Sequence, residues 1–197
     1  MTCHLILVSH ALTQWNVDKR IQGHTDVPLN PKGVKMAGLL AQRLEQEPLD
    51  AIYTSDLERA WQTAEPVAAR KGLEIVQDIR LREGRSIRQE RSATYPTLAF
   101  DKEVETEAAL LCRIRDALSD IARSHDGQTV LVVTHGGALD FFISWLLAET
   151  GQSRDRYLGV RMALNFLAFS QGQWQCRRLN DAAFLDRRLQ SDADHNI

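Results

Sequence analysis

The sequence predicts a single α/β domain: a doubly wound, three-layer arrangement around a mostly parallel sheet with an antiparallel edge. Three observations carry that expectation. Short apolar runs (HLILV, LDAIYTSD, LEIVQD, TVLVVTH) alternate with stretches whose apolar residues recur every three or four positions. TVLVVTH, at 129–135, places four apolar residues in a row, the pattern of a strand buried on both faces. Finally, NFLAFS and WQCRRLN flank Gln171-Gly172, which reads as a hairpin and supplies the antiparallel edge.

Each element follows from local chemistry. Residues 4–8 form the first strand, and a long polar loop over 9–30 follows, punctuated by Gly23 and Pro28. Asn30-Pro31 is an N-cap with proline at the first helical position, and Met36, Leu39, Leu40 and Leu44 share a face, so a helix is expected over 31–46. The second strand lies in 49–56. Ser55 or Asp56 is expected to cap a helix that runs to about Arg70 and is closed by Lys71-Gly72. LEIVQD is a short third strand, and the charged stretch 80–103 reads as an irregular insertion. Helices are expected over 104–124 and 138–149, on either side of the strand at 129–135. The domain is drawn over 1–180, with a polar C-terminal tail over 181–197.

Composition excludes several classes. The 197 residues suit one domain with a sizeable core. With 24 basic against 26 acidic residues, no global field favours nucleic acid or a membrane surface as partner. Cys3, Cys112 and Cys176 are far apart and odd in number, without metal-ligand spacing, which suits free thiols in a reducing, cytoplasmic setting. HLILV is too short for a signal peptide, and ALDFFISWLLA is about half the length of a membrane span. Neither metal nor cofactor is expected, and the oligomeric state stays open.

Polar residues gather where strands end. Ser9-His10 follows the first strand, Ser55 to Arg59 the second, and Thr134-His135 the strongest, with Glu83 beyond the third. The carboxyl edge of a parallel sheet would bring them together. Two histidines, an arginine and a glutamate can supply a nucleophile, a phosphate clamp and a general acid. Taken singly, each also has an ordinary structural reading: Glu83 in REGR as a surface charge, Arg59 as a solvated helix residue.

The blocks SHALTQWN, RIQGHTDVPLNPKG, IYTSDLERAWQTAEPVA, LRE and VLVVTHGGAL, in that order and spacing, resemble the histidine phosphatase superfamily, also called phosphoglycerate mutase-like, over roughly residues 4 to 180. The resemblance implies the phosphoglycerate mutase-like fold and a metal-independent phosphatase acting on a small phosphorylated substrate. It implies that His10 is the nucleophile, becoming a phosphohistidine, that Arg59 and Asn16 bind phosphate, and that His135 is the second active-site histidine. Glu83 matches the residue that protonates the leaving alcohol and then deprotonates water. His24 and the rest of QGHTDVPLNPKG are expected to fix a loop, the four tryptophans to pack, and Asn165 to touch the site or hold a turn.

Two departures stand out. Where the resemblance implies Arg-His-Gly, this chain has Ser9-His10-Ala11. Ser9 keeps a hydroxyl for the phosphate but loses the charge and the fork, a loss of about 2–4 kcal/mol in the transition state. Restoring arginine at position 9 is therefore expected to raise activity. After Glu83, Glu90 keeps part of the implied pattern, while Arg82, Arg85, Arg88 and Arg91 load the segment with charge. One of them reaching back as a substitute guanidinium is an option; flexible surface arginines are the better expectation. A short 84–103 segment implies an open pocket with a reduced lid, and is expected to set specificity. Two readings compete with a working phosphatase: a weakened homologue that binds a phosphorylated ligand or partner without turnover, and a mutase, disfavoured because mutases of this family are usually longer.

Overall fold

A computed structural model describes residues 1–84, 105–153 and 155–185. Its elements are β1 (Cys3–Ser9), α1 (Gln14–Val17), α2 (Pro31–Arg43), β2 (Ala51–Thr54), α3 (Glu58–Lys71), β3 (Ile75–Gln77) and a 3₁₀ turn at Ile79–Leu81. Then come α4 (Glu107–Ser124), β4 (Thr129–Thr134), α5 (Gly136–Glu149), β5 (Leu164–Ser170) and β6 (Gln173–Asp181). One six-stranded sheet has the order β3-β2-β4-β1-β5-β6. The β1, β2, β3 and β4 strands run parallel; β5 is antiparallel to β1, and β6 to β5. The fold class read from the sequence is the one observed.

Period-two alternation explains why β1 and β4 read as unbroken apolar runs. Leu5, Leu7, Val130 and Val132 enter the core under α4 and α5, while Ile6, Val8, Leu131 and Val133 enter the core under α2 and α3. Helices on both faces produce the three layers. In the hairpin, Gln171 and Gly172 both have positive φ (52° and 77°), the two-residue turn whose twist suits antiparallel strands. The last strand reaches Asp181, and Leu185 still packs, 3% exposed, against the core.

Local chemistry shifts several boundaries. The 9–30 loop contains α1, because Thr13 and Asn16 cap one another reciprocally. Asn30 caps α2 as expected, its side chain accepting from Gly33 N at 2.8 Å, but the helix stops at Arg43. The first turn of α3 is capped by neither Ser55 nor Asp56. Both are committed elsewhere, and Asp26 accepts from Glu58 N at 2.7 Å instead. Gly72, at φ 65°, closes that helix in the left-handed conformation. Unexpectedly, α5 begins at Gly136, two residues earlier than its apolar pattern suggests. The 80–103 insertion falls largely outside the described residues, as do Arg85, Arg88, Glu90 and Arg91.

Gly33 allows α2 to lie against the loop after β1. A Cβ there would stand 2.0 Å from Leu12 O, the carbonyl that accepts from Asn30 N. Gly33→Ala is expected to destabilise the protein by about 2 kcal/mol or more. Gly38→Ala, in the same helix with nothing within 4 Å of the added Cβ, should instead add about 0.5–1 kcal/mol. Urea unfolding of the two variants checks both signs.

Candidate active site

The order β2-β4-β1 sets three strand ends side by side, and backbone hydrogen bonds hold them together. His10 N donates to Thr134 O at 2.8 Å, and Ser55 N donates to Val133 O at 3.1 Å. Residues up to 125 positions apart therefore share one edge, the place where open parallel sheets bind ligands.

His10 is only 4% exposed. Its Nδ1 lies 2.7 Å from Ala11 O, and a carbonyl can only accept, so Nδ1 carries the proton and Nε2 keeps its lone pair. Burial, reinforced by the Arg59 and Arg161 charges, holds the His10 pKa well below the ordinary imidazole value. The ring is thus neutral at physiological pH. Ala11 N donates to Thr63 Oγ1 at 2.9 Å, and that hydroxyl donates to Arg59 O at 2.7 Å, tying the His10 loop to α3.

His135 is fully buried, with ring centroids 5.3 Å between it and His10. Its Nε2 is 2.9 Å from Ser55 Oγ, while Nδ1 has no hydrogen-bond partner among the described residues. Burial, with Arg59 adding, pushes its pKa well below normal too. Arg59 is also fully buried. Its Nη1 donates to Thr25 O at 2.9 Å and Nη2 to Gly23 O at 2.7 Å, leaving Nε unpartnered among the described residues. Burial lowers its pKa to about 10, which leaves it cationic at neutral pH.

Glu83 reaches the same edge by a different route. Its Oε2 accepts from Gly137 N at 3.0 Å and its Oε1 from Gly84 N at 3.0 Å. The carboxylate thus supplies the cap that His135, at the N-cap position of α5, does not, and sits at the positive end of that helix. This explains why a Gly-Gly pair can open a helix, and the second glycine leaves the carboxylate its place: a Cβ on Gly137 would lie 2.7 Å from Glu83 Oε1 and push that side chain aside.

The segment bearing Glu83 is held from several sides. His24 Nε2 donates to Glu83 O at 2.7 Å, so this histidine supports the glutamate through the loop role expected of it. Arg113 donates to the carbonyls of Arg80 at 2.6 Å and Arg82 at 2.9 Å, and pairs through two bonds with Glu105. Thr134 Oγ1 donates to Leu81 O at 2.6 Å. Arg82 grips Asp56 at 2.7 and 2.6 Å, holding that carboxyl below its usual range. The Arg82 side chain is therefore engaged by Asp56.

The remaining candidates have mixed commitments. Asn16 Oδ1 accepts from Thr13 N and Thr13 Oγ1, both at 3.0 Å, which leaves its NH2 as the group open to a ligand. Ser9 is 3% exposed, and its Oγ accepts from Met162 N at 3.1 Å. Asn165 serves structure: it accepts from Tyr157 Oη at 2.7 Å and Asn180 N at 3.1 Å. Sequence reading passed over Arg161, which is 3% exposed and exerts a charge effect on His10. Its signal was faint: one arginine directly before the apolar start of an antiparallel strand. A separate cavity of about 490 Å³, lined in part by His4, Glu47, Thr129 and Arg178, opens at the other end of the strands.

Residues 5–182 match the family described as histidine phosphatase superfamily (branch 1). The chain belongs to this superfamily. Among relatives, it is 32% identical over 184 residues to the probable phosphoglycerate mutase GpmB of Serratia proteamaculans, covering 85% of this chain and 86% of that one. It is 36% identical over 148 residues to phosphoserine phosphatase 1 of Hydrogenobacter thermophilus, covering 66% and 70%. The structure of Bacillus stearothermophilus YhfR superposes with a TM-score of 0.79 at 29% identity, covering 92% of this chain and 98% of that one. Relatives in the superfamily thus carry both phosphatase and mutase names.

The two buried histidines make stability depend on pH. Their native pKa values lie well below the ordinary 6.5, so below that pH the unfolded chain binds more protons than the native one. Well above that value they contribute little pH dependence, and as the pH falls below it each removes stability. Urea unfolding at pH 7.5 and 5.5 should show the loss, and His10→Asn should make it smaller.

Proposed function

We propose that this superfamily member is a metal-independent phosphatase that hydrolyses a small phosphomonoester through a phosphohistidine on His10. The observation that carries this reading is the tautomer of His10: Ala11 O holds the Nδ1 proton, which leaves the Nε2 lone pair as nucleophile in a neutral ring. Nε2 forms the bond to phosphorus as the ester oxygen leaves. Glu83, in its acid form, gives its proton to that oxygen and releases the alcohol. The resulting carboxylate then takes a proton from water, whose oxygen bonds to phosphorus as the N–P bond breaks. Inorganic phosphate departs, and His10 and Glu83 return to their starting states. Arg59 Nε and His135 Nδ1, both lacking partners, suit the phosphoryl oxygens, and the Asn16 NH2 suits a supporting contact. Ser9 retains an O–H that a phosphate oxygen can accept.

A second reading, binding of a phosphorylated ligand without turnover, draws on position 9, which is uncharged and whose hydroxyl oxygen is engaged by Met162 N. A panel of phosphomonoesters, assayed for release of inorganic phosphate, separates the two. Wild-type turnover is expected, and His10→Ala should abolish it. Saturable binding with no His10-dependent turnover of any substrate would sink the phosphatase reading, and phosphate transfer to the product without release would indicate a mutase. Glu83→Gln should lower kcat by about 10²- to 10⁴-fold, least for esters with a good leaving group. Gly137→Ala should lower kcat by about 10²-fold by displacing the Glu83 carboxylate, with His10 phosphorylation by a good-leaving-group ester retained.

A further inference from the structure

Arg161 is a buried guanidinium without a counter-charge in contact among the described residues. It is 3% exposed, its Nε meets no hydrogen-bond partner, and no ion pair engages it among the described residues. Buried charges are ordinarily paired, because desolvation is costly and only a partner's charge and hydrogen bonds offset it. Among the described residues Arg161 has none, and an anionic ligand would supply one.

Its position in the sheet says what that partner touches. Because β5 runs antiparallel to β1, its start lies at the edge where β1 ends. Leu7 faces Asn165 in the ladder, and Arg161 lies in the turn just before β5, closed by Ala163 N donating to Val160 O at 3.0 Å. Met162, at φ 64°, adopts a left-handed conformation, and its amide is fastened to Ser9 Oγ at 3.1 Å. The residue in front of His10 thus anchors the turn that carries Arg161. Arg161 and Arg59 both act on His10, and Glu83 is the acidic group that acts on each of them. Asp26, which also acts on Arg59, is exposed to solvent, so among the described residues the buried charge at this edge is predominantly positive.

We propose that Arg161 is a phosphate-binding residue of this site, approaching the phosphoryl group from the β5 side while Arg59 approaches from α3, and that it supplies the cation absent at position 9. The inference rests on the reading of this edge as a phosphoryl site. A phosphate dianion matches the charge excess and offers the oxygens that a guanidinium fork engages two at a time. Burial lowers the Arg161 pKa to about 10, so the fork remains charged at neutral pH. Serine at position 9 follows from this arrangement. An arginine there would remove the acceptor for Met162 N and set two guanidinium groups against each other. Ser9→Arg alone is therefore expected to bring no gain in activity, in place of the rise expected from sequence.

Inorganic phosphate, which carries no carboxylate, is the probe. Thermal unfolding and phosphorus NMR titrations are run on the wild type, Arg161→Gln, Arg161→Lys and the double variant Ser9→Arg/Arg161→Gln. Phosphate should raise the wild-type Tm. Arg161→Gln should raise the Tm in phosphate-free buffer, because an unmatched buried charge is gone, and should weaken phosphate binding by about tenfold or more. Arg161→Lys, which keeps the charge without the fork, should fall between, and provides the answer if the glutamine variant fails to fold. The double variant should recover affinity over Arg161→Gln. Unchanged phosphate affinity in Arg161→Gln or Arg161→Lys overturns the proposal, as does a wild type that binds no phosphate; a substrate carboxylate is then the better partner for Arg161. A wild type that binds phosphate through Arg161 yet hydrolyses no ester overturns the phosphatase reading alone.

Discussion

The concentration of positive charge at a dry sheet edge is the constraint around which this molecule is arranged. Arg59 and Arg161 are both nearly inaccessible to water, and two neutral imidazoles lie beside them. Such a cluster persists only where the surrounding structure over-determines it. The backbone carbonyls of Gly23 and Thr25 take two corners of Arg59, and the apolar layers on both sides of β1 and β4 supply the stability that the edge consumes.

The supports are mostly backbone groups. Carbonyls hold His10 and Arg59, amides hold Glu83 and Ser9, and side chains from remote elements fix the carbonyls in turn. Arg113 on α4, His24 in the first long loop and Thr134 at the end of β4 all converge on residues 80–83. Without them the short stretch between the 3₁₀ turn and the insertion would have little to define it. Glu83 is thus positioned by at least four parts of the chain before any ligand arrives. The carboxylate then completes the N-terminus of α5, so one residue serves both the helix and the site.

The sheet and the layer order were legible in the sequence because they depend on periodicity, which is local. The continuous run in β4, the Gln171-Gly172 turn and the Asn30-Pro31 cap each carried a clear signal. Boundaries that depend on a distant partner were not legible: α5 starts early because Glu83 caps it from another element, and Asp26 caps α3 in place of the nearer Ser55 and Asp56. The site divides the same way. His10, His135 and Arg59 sit at or just beyond strand ends, where topology alone recommends them. Arg161 announces nothing locally, since the turn that carries it is tied to the site through Met162 N and Ser9 Oγ, a contact between distant parts of the chain.

The antiparallel strand has a meaning beyond closing the sheet. In an all-parallel sheet, only residues that leave strands can reach the ligand-binding edge. One reversed strand beside the central β1 lets a residue that enters a strand reach it as well. The same volume becomes addressable from two chain positions 152 residues apart, 9 and 161. A charge can then be carried at either position without disturbing either strand's core-facing residues. Along the chain such an exchange reads as a broken motif, whereas in space it is a change of address.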